Sequence, residues 1–123
     1  MRVRIAVVTA VVALGSAGAA MALSSATPTL NGTVGPGFTI SLKDSKGHKV
    51  KTLKAGSYKF AITDKGDIHD FSLAQTKGGK FHKELTGVSF TGKKTVTVKL
   101  AKGNWQFYCS VHPDSMFGNF TVN

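Results

Sequence analysis

The sequence has one cysteine, three prolines and six acidic residues, set against sixteen lysines and arginines. A single cysteine excludes an internal disulfide framework. It has to be a reactive thiol, a bridge to another molecule or a ligand. The longest apolar run, Ile5 to Leu14, falls short of the roughly 20 residues that span a bilayer. Beyond residue 26 no stretch keeps a helical period, so a helical bundle is excluded. There is no internal repeat. The shortage of acid leaves a formal charge of +10. That charge raises the question of nucleic acid. The lysines, however, are spread along every edge and not clustered with aromatics, so a nucleic-acid partner is not expected.

What is present begins with a leader. Met1-Arg2-Val3-Arg4 is a short basic start, Ile5 to Leu14 is apolar apart from Thr9, and Gly15 to Ala22 is rich in small residues. This is the pattern of a secretory signal peptide. Residues 1–26 are assigned to it, with cleavage after Ala22 or after Ala26. No cysteine near the cut offers a lipid anchor, and no membrane insertion is expected afterwards. The mature chain is expected to be exported to a periplasm, the cell envelope or the medium. Loss of Arg2 and Arg4 takes the charge from +10 to +8, carried wholly by lysine.

Residues 27–35, with Pro28, Asn31, Gly32 and Gly35, read as a flexible tail, and Pro36-Gly37 as a turn into one domain over 36–123. Short alternating runs follow. Phe38, Ile40 and Leu42 alternate with polar residues, as do Tyr58, Phe60 and Ile62, and Val96, Val98 and Leu100. Turns fall at 44–47, 55–56, 64–67 and 101–104. Phe120 and Val122 mark a last strand. Period-2 alternation with frequent turns predicts an antiparallel β-sandwich or barrel. The segment 76–91 shows no clear pattern and is expected to wander between the sheets.

The chemistry gathers near the C-terminus. Cys109 is followed by His112 and then Met116, a thiolate, an imidazole and a thioether within eight residues after an aromatic strand. Soft sulfur beside imidazole favours copper, and two histidines with one cysteine and a weak axial methionine make a blue-copper site. The second histidine must come from elsewhere. In 68–74, His69, Phe71 and Leu73 share a face; in 103–109, Trp105, Phe107 and Cys109 do. His69 and Cys109 are therefore expected to point into one core. His48 and His82 sit among lysines and read as solvated surface. Zinc prefers closed sets of four Cys and His ligands, which one cysteine and a methionine do not supply. Asp114 is a hard donor poorly suited to a soft site. A Cys/His nucleophile pair would need a third, orienting residue, and none is evident, so an enzyme is not expected.

The stretch Tyr108-Cys109-x-x-His112-x-x-x-Met116-x-Gly118, with Ile68-His69-Asp70-Phe71 upstream, resembles the small blue-copper proteins, the cupredoxins of plastocyanin, amicyanin and pseudoazurin type. The resemblance covers most of the chain after residue 35. It implies an all-β, antiparallel Greek-key β-sandwich and one copper ion. It makes His69, Cys109 and His112 equatorial ligands and Met116 the axial one. It also implies a backbone N–H bond from Asp70 to the Cys109 sulfur, a tie from the residue-70 side chain to Ser110, and an apolar patch around His112 that includes Pro113 and Phe117. Two features depart from the family. Asp70 stands where Asn is common, and the His112–Met116 gap lies between the familiar loop lengths. The function expected is one-electron transfer by a monomer that meets redox partners through an acidic surface on their side. The alternative is a module for copper delivery or storage.

Overall fold

The computed structural model describes Gly15 and residues 26–123. The predicted leader lies almost wholly outside the described residues. The described chain carries nine strands: β1 (Thr29–Val34), β2 (Ile40–Lys43), β3 (Thr52–Leu53), β4 (Gly56–Asp64), β5 (Phe71–Lys77), β6 (His82–Thr86), β7 (Gly92–Leu100), β8 (Gly103–Tyr108) and β9 (Phe117–Val122). They form a four-stranded sheet in the order β2-β1-β4-β7 and a five-stranded sheet in the order β3-β9-β8-β5-β6. The chain changes sheet after β2, β3, β4, β6 and β7. This is an all-β sandwich, as expected. Most neighbours are antiparallel, but β1 runs parallel to β4 and β3 parallel to β9.

The alternation seen in the sequence sets the two inner faces. Tyr58, Phe60 and Ile62 of β4 meet Trp105 and Phe107 of β8, Leu73 of β5 and Phe120 and Val122 of β9 in one buried core. Each large apolar side chain removed from water contributes about 1.5–3 kcal/mol. Rings also pack side by side between neighbouring strands of the five-stranded sheet. Phe71 and Phe107 stack with centroids 5.8 Å apart, and Trp105 stacks on Phe120 at 6.3 Å. The indole N–H of Trp105 donates to the Ala101 carbonyl at 2.9 Å, which satisfies its one polar atom. Gly118 is the residue over which the Phe107 ring lies, and a Cβ there would collide with it.

Two expectations are corrected. Residues 27–35 are not a flexible tail: Thr29–Val34 is β1, paired on both sides, with Leu30 and Val34 buried. The domain thus begins before residue 36. The inward position between Leu30 and Val34 is Gly32, where a Cβ would lie 2.5 Å from Ile62 and 2.8 Å from Phe71. The missing side chain hides the alternation. The segment 76–91 is not a wandering loop either. It holds the end of β5 and all of β6, whose Leu85 and Thr86 are buried. An edge strand touching the core only through its last two residues shows no period of two.

Candidate metal centre

β5 and β8 are antiparallel neighbours, with Ser72 opposite Tyr108. The start of β5 and the end of β8 therefore lie side by side. His69 precedes β5 and Cys109 follows β8, so sheet register brings together residues forty positions apart. Strand parity read from the sequence holds on both sides: Phe71 and Leu73 are buried with His69, and Trp105 and Phe107 with Cys109.

The segment after Cys109 folds back on itself. The Cys109 N–H donates to the Met116 carbonyl at 2.9 Å, and the Met116 N–H to the His112 carbonyl at 2.9 Å. The His112 N–H donates to the Cys109 carbonyl at 3.1 Å. Backbone bonds thus hold Cys109, His112 and Met116 in one tight turn between β8 and β9. Cys109 and Met116 are 0% exposed and His69 is 2% exposed, while His112 is half-buried.

The donor atoms converge. His69 Nδ1 and His112 Nδ1 are 3.1 Å apart, and Cys109 Sγ is 3.7 Å from each. A point about 2 Å from all three atoms lies inside this triangle, close to the roughly 2.0–2.3 Å of first-row metal bonds to nitrogen and sulfur. Among the described residues these three are the one group of His, Cys, Asp or Glu side chains placed to share an ion. Asp114 is exposed and outside the group, as are His48 and His82. A closed zinc tetrahedron would need a fourth such donor. The donor set fits a metal that accepts a three-coordinate plane of soft and borderline ligands.

The support around the donors is polar and buried. Asp70 is 0% exposed. Its Oδ1 accepts the Ser110 N–H at 2.6 Å, and its Oδ2 accepts the Ser110 hydroxyl at 2.6 Å and the Ser72 hydroxyl at 3.0 Å. Burial pushes its pKa up, but the hydrogen bonds from Ser110 and Ser72 outweigh it and hold the carboxyl below its ordinary value. The expected tie from residue 70 to Ser110 is therefore present. The expected bond from the Asp70 N–H to the Cys109 sulfur is not among the hydrogen bonds of the described residues; Sγ lies 3.7 Å from the Nδ1 of each imidazole.

Sequence reasoning missed three contributors. Thr86 Oγ1 accepts the Phe71 N–H at 3.0 Å and so fixes the start of β5. Asp64, at the end of β4, is buried, accepts the Gly66 N–H at 3.1 Å through Oδ1, and has no hydrogen-bond partner on Oδ2. Burial raises its pKa. Phe38, 61% exposed, stands edge-on to both imidazoles, 5.5 Å from His69 and 4.9 Å from His112 between ring centroids. Only the β1–β2 hairpin brings it there, so nothing local to His69 or His112 announces it.

No protein-family model and no curated protein sequence matches the chain. Solved structures do. Rusticyanin, described as a copper protein, matches with a TM-score of 0.56 and 20% identity over 81% of this chain and 80% of its own. Rusticyanin from Thiobacillus ferrooxidans matches at 0.51 and 24% identity, over 81% and 79%. A reduced Cu(I) form of an amicyanin variant matches at 0.50 and 12% identity, over 81% and 87%. The chain has the cupredoxin fold. At these identities the likeness is one of fold, and the cupredoxin sandwich here places His69, Cys109, His112 and Met116 at one pole.

Proposed function

We infer that the protein is a mononuclear type 1 copper protein that carries one electron at a time outside the cytoplasm. His69, Cys109 and His112 would hold the ion in a plane, and Met116 would be the weak axial donor. The observation that carries this reading is the triangle of Cys109 Sγ, His69 Nδ1 and His112 Nδ1. Its soft sulfur and imidazole set supports copper, and solved neighbours of the same fold include the copper protein rusticyanin and a Cu(I) form of amicyanin.

Copper in such a set supplies a one-electron Cu(II)/Cu(I) couple, with a thiolate that gives colour and an electronic path. The chain's own task is to keep the donors still. The backbone bonds of the 109–116 turn and the Asp70–Ser110 clamp serve this task. Donors that move little between two oxidation states keep the reorganisation energy low. Three of the four proposed donors are buried, which favours a resident ion over one handed on, and so a carrier over a delivery or storage module. The role is that of a carrier and not an enzyme.

His112 supports electron exchange with a partner, because it is half-exposed at the rim. The exposed apolar side chains Ile68, Val111 and Phe117 adjoin site residues in sequence, and Phe38 touches the imidazoles. An apolar contact rimmed by lysines would suit a partner with an acidic surface, met by a monomer. Export rests on the leader at residues 1–26. Voltammetry of the copper-loaded mature protein tests the role. A carrier gives a reversible one-electron wave and keeps its copper against a moderate chelator. A delivery module gives up its copper and shows no reversible wave.

A further inference from the structure

Phe38 belongs to no element that the ligand pattern identifies, yet it is the ring that meets both imidazoles. Its contacts are edge-on, with interplanar angles of 68° to His69 and 89° to His112. Aromatic pairs prefer this arrangement, because the positive edge of one ring meets the negative face of the other. His69 and His112 are themselves tilted by 68° with centroids 4.9 Å apart. The three rings thus form a mutually braced cluster, with Phe38 outermost.

The hairpin tip that carries Phe38 is held in place. Gly35 and Gly37 take left-handed backbone angles, φ 73° and 69°, which a side chain would resist. The Gly35 N–H donates to the Thr39 carbonyl at 2.8 Å, and the Thr39 hydroxyl donates to the Pro36 carbonyl at 2.9 Å. The Lys65 N–H donates to the Val34 carbonyl at 2.8 Å, which joins the end of β1 to the connection leading into His69. A large apolar ring 61% exposed on a tied-down tip gains little from its own burial. Its contacts are with the two rings that carry the donor nitrogens.

On the copper reading above, we propose that Phe38 is a positioning residue of the metal centre. It caps the two imidazoles, fixes their planes and keeps water and small anions off the ion. An apolar cover of this kind controls solvent access and dielectric, and through them the potential. Water admitted to the site would favour the more highly charged oxidised state, so loss of the cap should lower the potential.

The test compares the copper-loaded wild type with Phe38→Ala and Phe38→Tyr. Measured are the reduction potential, the rate of copper removal by a chelator and the response of the visible band to azide. Phe38→Ala should lose copper at least tenfold faster, show a lower potential and respond to azide; Phe38→Tyr should behave as wild type. Phe38→Ala matching wild type in all three, or Phe38→Tyr matching Phe38→Ala, overturns the proposal. A wild type that takes up no copper or stays colourless overturns the copper reading instead. The metal-free protein then decides Phe38. The ring-proton NMR shifts of His69 and His112 should move in Phe38→Ala and not in Phe38→Tyr, and unmoved shifts in both overturn the cap.

Discussion

Asp70 holds Ser110 by both its backbone N–H and its hydroxyl, each at 2.6 Å, with one carboxylate oxygen for each. This clamp joins the segment carrying His69 to the turn carrying Cys109 and His112. Asn in the same place keeps the N–H acceptor, and its amide can donate to the hydroxyls of Ser110 and Ser72. Asp70→Asn should therefore fold at a cost of about 1 kcal/mol, and should raise the reduction potential, since a buried negative charge favours the more positive state of a nearby ion. Asp70→Ala leaves the Ser110 N–H and two hydroxyls without that partner and should cost about 3 kcal/mol. Urea denaturation of the metal-free variants checks the order. Equal losses for Asn and Ala would show that the clamp is not what joins the two segments.

Asp64 behaves in the opposite sense with pH. Burial holds its folded pKa above the ordinary 3.8. Between those two values the folded protein binds more protons than the unfolded chain, so stability falls as pH rises through that window. Asp64→Asn removes this slope and should stabilise the metal-free protein at neutral pH by on the order of 1 kcal/mol, since the partnerless Oδ2 no longer carries charge into a buried site. Denaturation at pH 3.5 and pH 7 measures it. A wild type and Asp64→Asn with the same pH profile would contradict the assignment.

Met116 is fully buried and is the last residue of the ligand turn. Met116→Leu keeps its bulk and removes the thioether. If Met116 is the axial donor, the variant should retain copper and colour and gain a higher potential, because Cu(II) uses the donor more than Cu(I) does. Loss of all copper, or an unchanged potential, would remove Met116 from the ligand set.

Lys93 and Lys94 are exposed and lie opposite Thr63 and Ile62, at the end of β4 that leads towards His69. Complementary charge mainly raises the rate of association, and salt screens it over a Debye length of about 8 Å at physiological ionic strength. Electron exchange with the physiological partner should slow as salt rises. Lys93→Glu with Lys94→Glu should slow it further at low salt and leave the visible spectrum unchanged. A rate that stays flat with salt would assign these lysines to solubility alone.

The candidate centre was more legible in the sequence than the sheet around it. Cys109, His112 and Met116 are close in sequence because one turn carries them, and His69 follows from the parity of Phe71 and Leu73. Strands whose inward residues are bulky, such as β4 and β8, also announced themselves. β1 did not, because the close approach of Ile62 and Phe71 requires Gly32 at its central inward position. β6 did not, because an edge strand needs few buried residues. Asp64, Ser72 and Thr86 are polar residues in buried places. Their burial is decided by neighbours on other strands, which no local pattern reports. Phe38 alternates with polar residues alongside Ile40 and Leu42, but the strand begins at Ile40, and the place of Phe38 beside the imidazoles depends on how a hairpin tip folds over a distant pole.

The most direct test of the account is the absorption spectrum of the copper-loaded protein beside that of Cys109→Ser. An intense band near roughly 600 nm, arising from thiolate-to-copper charge transfer, is predicted for the wild type. The band should be absent when Ser replaces Cys109. A wild type that binds copper without this band, or a Cys109→Ser protein that stays blue, would contradict a type 1 centre built on Cys109.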